Sequence, residues 1–191
     1  MEEIILASAS PRRRELLSLI GIPFRVIVSE ADETVTETEP EKIIMELAYG
    51  KADAVAALPE AQGRTMLGAD TIVWCEDRVL GKPADAAEAA AMLTMLQGQE
   101  HSVYTGVALI NRQEGICKKF YRRTKVYVHE MTGQEIGDYI ATGEPFDKAG
   151  AYGIQGPFAA YVDGIEGDYQ TVVGLPVSGV YQALKEIGAQ D

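Results

Sequence analysis

The hydrophobic residues of this chain follow two spacings, one typical of helices and one typical of strands. Apolar side chains recur with helical period after Pro11, Pro40, Thr132 and Pro176 and within residues 86–96. Runs rich in β-branched, aromatic and other apolar residues predict strands at residues 4–6, 24–28, 65–75, 79–80, 102–111, 116–129, 158–162 and 170–173. Helices and strands therefore alternate, with long strands in the middle of the chain.

Capping residues mark several helix starts. Ser10 before Pro11 is a predicted N-cap followed by proline at the first helical position. Asp85 caps the helix at 86–96, and Thr132-Gly133-Gln134-Glu135 is a capping box. Gly50 lies inside the helix predicted after Pro40 and costs about 1 kcal/mol relative to alanine, which close packing or a nearby ligand would explain.

Tight turns connect the longest predicted strands. Glu76-Asp77 and residues 112–115 read as hairpin turns between antiparallel strands. Long hairpins mixed with helices predict an α/β fold with a mixed sheet. A break around residues 80–100 predicts two lobes with a cleft between them, within a single domain at 1–191.

Composition excludes several classes of protein. No apolar run approaches the roughly 20 residues that span a bilayer, and Glu2-Glu3 do not start a secretory signal, so we expect a cytoplasmic protein without a membrane partner. The net charge of −12 argues against binding a nucleic-acid polymer. Cys75 and Cys117 lack metal-ligand spacing and are expected to be reduced.

Arginines cluster at the first helix. Arg12, Arg13 and Arg14 lie in the first turn after Pro11, where the helix dipole and free N–H groups already present positive charge. This placement is unfavourable unless an anion binds there, so the segment predicts a polyphosphate site. The alternative is a set of solvated arginines on a surface helix.

Two carboxylates are candidates for catalysis and metal binding. Asp70 lies in an otherwise apolar strand beside small residues, so it must be paired, hydrogen-bonded or metal-bound. Glu33 belongs to an acidic loop at residues 29–41, where solvation of the charge is the plainer interpretation. One or two carboxylates with substrate oxygens are what Mg²⁺ requires. For Asp70 the alternative is a hydrogen bond to a loop amide.

Further polar candidates lie on a helix, in a turn and in a glycine-rich loop. Lys51 is predicted on the helix after Pro40 and Lys82 in the turn Leu80-Gly81-Lys82-Pro83, and either could be a surface lysine. The glycine-rich loop at residues 143–157 contains three polar side chains suited to binding a base or a phosphate: Asp147, Lys148 and Gln155.

Five motifs in order carry a family resemblance: SASPRRRELL, GADTIV, GKP, EPFDKAGAYGIQG and GDYQTVVGLP. The chain resembles the Maf family of nucleoside triphosphate pyrophosphatases over nearly its whole length. The resemblance implies a two-lobed fold similar to inosine triphosphate pyrophosphatases, with substrate in the cleft and homodimers common. It also implies a hydrolase with a divalent cation, Mg²⁺ or Mn²⁺, that releases a nucleoside monophosphate and pyrophosphate.

The resemblance also implies roles for single residues. Asp70 matches a catalytic and metal-binding carboxylate and Glu33 a metal-binding one. The positions that match substrate-binding residues of the family are Ser8, Arg12, Arg13, Lys51 and Lys82. Arg12, Thr71 and Gln155 are similar to the branch acting on dTTP and UTP, whereas the sister branch, which prefers 7-methyl-GTP, differs at each.

The expected activity is therefore hydrolysis of dTTP and UTP, with modified pyrimidine nucleotides as an open extension. A 7-methyl-GTP pyrophosphatase is one alternative. Another is a non-catalytic nucleotide-binding regulator of cell division, since the family's older label is septum formation inhibitor. The pair Asp70 and Glu33 weighs against a purely binding role, because binding a polyanion does not require carboxylates.

Overall fold

The computed structural model describes residues 2–28, 31 and 34–188. The helices are α1 (Pro11–Ser18), α2 (Pro40–Ala56), α3 (Ala86–Leu96), α4 (Gly133–Ala141), α5 (Tyr169–Val173) and α6 (Val177–Gly188). The strands are β1 (Ile4–Leu6), β2 (Phe24–Val26), β3 (Met66–Cys75), β4 (Arg78–Leu80), β5 (Glu100–Asn111), β6 (Ile116–Val128) and β7 (Val162–Glu166). Short 3₁₀ helices lie at Pro59–Ala61, Glu144–Asp147, Ala149–Ala151 and Pro157–Tyr161. Within these ranges no helix is long and apolar enough to cross a membrane.

The strands form one mixed sheet in the order β2-β1-β3-β5-β6-β7, with β4 paired to β3. Strand β1 is parallel to both β2 and β3, and Ile5 lies opposite Met66. The β3–β4 and β6–β7 pairs are antiparallel, with Val126 opposite Ile165. The predicted α/β fold with a mixed sheet is confirmed.

The chain divides into two structural units. Unit 1 consists of Met1–Asp70, Thr105–Arg122 and Gly174–Asp191. Its apolar core joins one face of α2 to β1, β3 and β5, because the small residues of α2 allow the helix to lie close to the strands. The buried residues of this core are Ile5, Ala7, Ala48, Ala52, Val55, Ala56, Ala61, Met66, Ala108 and Ile110.

Unit 2 consists of Thr71–Tyr104 and Arg123–Val173. It contains an aromatic cluster around Phe158, whose side chain is fully buried. The ring centroids of Tyr139, Tyr152 and Tyr161 lie 5.2, 4.6 and 5.8 Å from that of Phe158. Aromatic pairs at such distances add to the stabilisation from burial.

The predicted caps are present. The Ser10 side chain accepts the backbone N–H of Arg13, and the Asp85 side chain accepts that of Glu88. The Thr132 capping box is complete, because both reciprocal hydrogen bonds form. Each cap satisfies backbone donors that a helix start leaves without intrahelical partners.

Two of the predicted strands are wrong. Residues 158–162 mostly form the 3₁₀ helix Pro157–Tyr161, because their apolar character reflects burial in the aromatic cluster. Residues 170–173 lie in α5, because the Asp168 carboxylate accepts the backbone N–H groups of Gln170 and Thr171 at 3.3 and 2.9 Å. The remaining strand in this region, β7, begins at Val162.

The glycine in α2 is not explained by packing. A Cβ atom added at Gly50 would meet no described atom within 4 Å, apart from its own neighbours in the helix. Close packing, offered above as one reason for this glycine, is therefore wrong for the described residues.

Candidate active site

Helix α1 begins with the cap that directs Arg13 inward. The Ser10 hydroxyl accepts the Arg13 N–H at 3.4 Å, and Pro11 occupies the first helical turn. Arg13 is 9% exposed, whereas Arg14 is exposed and Arg12 is partly buried. The predicted cluster of three arginines therefore contains one buried side chain, that of Arg13.

Arg13 contacts three separate segments of unit 1. Its Nε donates to the Gly174 carbonyl oxygen at 2.9 Å, and its Nη1 donates to the Ser8 Oγ at 3.3 Å. Its Nη2 lies 3.6 Å from Asp70 Oδ1. Because guanidinium is a planar fork, these contacts hold it in one orientation.

Asp70 lies at the partly buried part of β3, with 17% of its side chain exposed. The Lys51 ammonium from α2 donates to Asp70 Oδ2 at 2.8 Å, and Arg13 lies on the Oδ1 side. Asp70 is thus paired, as its apolar surroundings predicted. These two cations come from helices that are distant in sequence.

Two glycines allow α2 to bring Lys51 to β3. A Cβ atom at Gly68 would overlap the Ala48 carbonyl oxygen and lie 2.7 Å from the Ala52 nitrogen. A Cβ at Gly106 of β5 would overlap the Ile44 carbonyl oxygen. Backbone atoms cannot move aside as a flexible side chain can, so the close approach of α2 to both strands requires glycine.

We expect Gly68→Ala to lower both stability and activity. The added methyl group pushes α2 from β3, which costs about 1–3 kcal/mol of overpacking and lengthens the Lys51–Asp70 hydrogen bond. Chemical denaturation and steady-state rates measure the two effects. Gly50→Ala, on the same helix but with open space at its Cβ, is the matched control, and an equal loss in both variants would contradict the packing argument.

The cluster of Ser8, Arg13, Lys51 and Asp70, called here the Asp70 cluster, combines two cations with one carboxylate. Its positive charges occur in a chain whose net charge is −12. Fixed cations of this kind bind phosphates, and an oriented carboxylate can accept a proton from water. Glu33, the other predicted carboxylate, lies outside the described residues.

The remaining predicted residues lie in unit 2, except Arg12. Thr71 follows Asp70 on β3 and is partly buried. Lys82 is exposed, and its turn is tied to the loop at 149–151 because the Gly81 carbonyl accepts the Gly150 N–H at 3.0 Å. Gln155 is exposed in the turn Gly153–Gly156, which the Gly156 N–H to Gly153 oxygen hydrogen bond closes at 3.2 Å.

Lys148 lies in a cluster with Asp147, which the sequence also indicated, and with Glu144 and Tyr139, which it did not. Its Nζ is 2.7 Å from Asp147 Oδ1, 3.1 Å from the Glu144 carbonyl oxygen and 3.9 Å from Glu144 Oε1. Glu144 in turn approaches the Tyr139 phenol. Burial, followed by smaller effects that include hydrogen bonding to Glu144, raises the pKa of Tyr139. The i,i+4 spacing of Glu144 and Lys148 did not single out Glu144, because this segment forms short 3₁₀ helices and not an α-helix.

The two histidines are separate from these clusters. His101 is buried, its Nε2 is 2.7 Å from the Tyr152 hydroxyl, and burial lowers the pKa of His101 to about 4. His129 is exposed and its Nε2 lies 3.5 Å from Asp163 Oδ1. Neither arrangement is the Ser–His or Cys–His pair of a catalytic triad.

A carboxylate oriented by buried and partly buried cations, on a mixed α/β fold, is typical of a protein that processes a phosphorylated substrate. The chain matches the model for Maf-like proteins over residues 3–187 and belongs to that family. The predicted family membership is confirmed.

Curated relatives match at high identity. The chain is 52% identical over 187 residues to the dTTP/UTP pyrophosphatase of Bacillus cytotoxicus, covering 97% of this chain and 96% of the relative. It is equally 52% identical over 187 residues to the dTTP/UTP pyrophosphatase of Bacillus cereus, with the same shares covered.

Solved structures match more distantly. The Staphylococcus aureus Ham1 protein is 17% identical, with a TM-score of 0.49 over 66% of this chain and 72% of that one. A nucleoside-triphosphatase / dITP/XTP pyrophosphatase from Mycobacterium abscessus is also 17% identical, with a TM-score of 0.44 over 66% and 74%.

Proposed function

We propose that this chain is a nucleoside triphosphate pyrophosphatase that hydrolyses dTTP and UTP to the monophosphate and pyrophosphate. The observation that carries the proposal is full-length similarity, at 52% identity, to relatives named dTTP/UTP pyrophosphatase. The Asp70 cluster supports it, because it combines the cations that a triphosphate needs with a carboxylate suited to activating water.

Each member of the Asp70 cluster has a role in this proposal. Arg13 and Lys51 offset the charge that develops on the phosphates and on the leaving pyrophosphate. Ser8 orients the Arg13 fork through its hydroxyl. Asp70, held by Lys51 at 2.8 Å, orients the attacking water and takes its proton. Arg12 and Lys82 are proposed as further phosphate contacts.

The proposal includes a divalent cation, Mg²⁺ or Mn²⁺. The described residues contain no group of three or more His, Cys, Asp or Glu side chains able to hold an ion. Mg²⁺ commonly binds through one or two carboxylates together with substrate phosphates and water, and we propose that Asp70 and Glu33 would be those carboxylates. When bound, the cation would supply Lewis-acid stabilisation of phosphoryl oxygens.

Base choice is proposed to depend on Gln155, with Thr71 and Arg12. An amide side chain both donates and accepts, so it matches the alternating O–NH–O edge of uracil and thymine. A site that hydrogen-bonds its substrate in this way rejects mismatched bases strongly, because buried polar groups are then left unpaired.

We expect pyrophosphate release from dTTP and UTP to be much faster than from dATP, dCTP, dGTP or 7-methyl-GTP. The measurement is kcat/KM for each nucleotide with Mg²⁺ and with Mn²⁺.

Gln155→Glu removes the amide donor. We expect this change to lower the ratio of kcat/KM for UTP to that for CTP, and to have a smaller effect on the free energy of unfolding.

Other outcomes of the same panel separate the alternatives. Fastest cleavage of 7-methyl-GTP would contradict the pyrimidine preference but not the pyrophosphatase chemistry. Tight nucleotide binding without release of pyrophosphate would favour a non-catalytic regulator. Activity on modified pyrimidine nucleotides and a homodimeric state remain predictions from the family resemblance, and a cytoplasmic location remains a prediction from the sequence composition.

A further inference from the structure

The turn that carries Gln155 lies directly on a carboxylate. A Cβ atom at Gly156 would overlap Glu144 Oε1 and lie 2.6 Å from Oε2. A Cβ at Gly153 would lie 2.6 Å from the Lys148 Cε and 3.0 Å from Glu144 Oε1. Both ends of the turn Gly153–Gly156 are therefore in contact with the Glu144 side chain, and the absence of side chains at both positions allows this contact.

A hydroxyl holds the same turn from another direction. The Gly153 N–H donates to the Tyr139 hydroxyl at 3.2 Å, and both groups are buried. Tyr139 is itself 3% exposed, and its ring packs on Phe158 at a centroid distance of 5.2 Å. The hydroxyl position is thus set by the aromatic cluster, and Gly153 is tied to it.

Glu144, the first residue of the 3₁₀ helix Glu144–Asp147, is more buried than most carboxylates. Its side chain is 19% exposed, and its Oε2 is a buried atom without a hydrogen-bond partner among the described residues. Lys148, 14% exposed, keeps its ammonium 3.9 Å from Glu144 Oε1. Burying a carboxylate oxygen without a partner is costly, so a packing role alone would be served better by an apolar residue.

We propose that Glu144 is a positioning residue, which together with Tyr139 and Lys148 sets the turn Gly153–Gly156 and so the presentation of Gln155 to the pyrimidine base. Within this turn Ile154 is 8% exposed, while Gln155 is exposed. The contacts at Gly153 and Gly156 thus hold the backbone on both sides of Gln155, whose side chain is exposed. The inference rests on the proposed function, because it concerns how that function selects its base.

Two variants test the inference. Glu144→Ala removes the carboxylate from beneath Gly156, and Tyr139→Phe removes the hydroxyl that accepts the Gly153 N–H and also interacts with Glu144. Displacement of a positioning contact by about 1 Å can cost about 10²-fold, so we expect the ratio of kcat/KM for UTP to that for CTP to fall by at least about tenfold in each variant. The loss should come mainly from a higher KM for UTP.

Asp138→Ala is the matched control. Asp138 is an exposed carboxylate on α4 that accepts from Gln134 Nε2 at 2.8 Å, and it is expected to keep the wild-type ratio. A variant that is merely less stable contains less active protein, which lowers the apparent kcat for every nucleotide equally and leaves KM and the UTP/CTP ratio unchanged. The ratio therefore separates positioning from loss of fold.

The outcomes are distinct for the inference and for the proposed function. If the wild-type protein does not prefer UTP over CTP, the proposed function fails and the inference fails with it. If the wild type discriminates but both variants keep its ratio within about twofold, a change too small for a lost positioning contact, only the inference is overturned. If Glu144→Ala does not fold, the result for Tyr139→Phe decides.

A double-mutant cycle tests the contact with Gly156 itself. In the wild-type background, Gly156→Ala places a methyl group where the Glu144 carboxylate lies, so it should reduce the UTP/CTP ratio. In the Glu144→Ala background that space is open, so the same change should cost less. Additive losses would contradict direct coupling between the two positions.

Discussion

Asp70→Asn is expected to lower kcat for dTTP and UTP by about 10²–10⁴-fold. Asparagine keeps the shape of the side chain but loses the negative charge and the ability to accept a proton from water. It also places an amide beside Lys51 and Arg13, which lie 2.8 and 3.6 Å from the two Asp70 oxygens. Steady-state release of pyrophosphate at saturating nucleotide and Mg²⁺ measures the effect.

Asp53→Asn is the control for this change. Asp53 lies on α2, two residues after Lys51, and its carboxylate pairs with Arg112 at 2.7 Å on a more exposed surface of unit 1. The same loss of a cation-paired carboxylate outside the Asp70 cluster should leave the rate near that of the wild type. An Asp70→Asn enzyme retaining more than about half of the wild-type rate would remove Asp70 from the catalytic step.

Arg13→Ala is expected to weaken the binding of a non-hydrolysable dTTP analogue by about 10- to 10²-fold, which corresponds to the roughly 1.5–3 kcal/mol of a hydrogen bond to a charged group. The variant removes the guanidinium that contacts Gly174, Ser8 and Asp70. Binding of thymidine, which has no phosphates, should change much less. Calorimetric titration of both ligands gives the two dissociation constants.

Arg14→Ala provides the comparison on the same helix. Arg14 is adjacent in sequence but exposed, so its loss should change nucleotide affinity only slightly. Equal affinity for the analogue in Arg13→Ala and wild-type protein would return Arg13 to a structural role. A decrease in thymidine affinity as large as that for the analogue would indicate general damage to the fold rather than a lost phosphate contact.

Local chemistry made several elements predictable from the sequence. The caps at Ser10, Asp85 and Thr132 start helices where expected, because each side chain satisfies nearby backbone N–H groups without help from distant residues. The hairpin turn at Glu76-Asp77 has positive φ at both residues, as a two-residue turn between strands requires. Such features involve only a few consecutive residues.

Two segments near the end of the chain could not be assigned locally. The run at 158–162 is apolar because Phe158 fills an aromatic cluster, and burial produces the same composition in a 3₁₀ turn as in a strand. The run at 170–173 contains β-branched residues, but the Asp168 cap turns it into a helix. In both cases the deciding interaction competes with strand propensity.

The sequence by itself determined the caps, the mixed α/β class and the need for Asp70 to be paired, since an ionised carboxylate among apolar residues requires a partner. Only the tertiary structure decided the identity of those partners. Arg13 is buried, whereas Arg14 is exposed. Lys51 contacts Asp70 because Gly68, which has no side chain, allows α2 to pack closely against β3. Glu144 was likewise recognised only through its contact with Gly156. These choices depend on which distant segments pack together, and side-chain spacing along the chain does not encode that information directly.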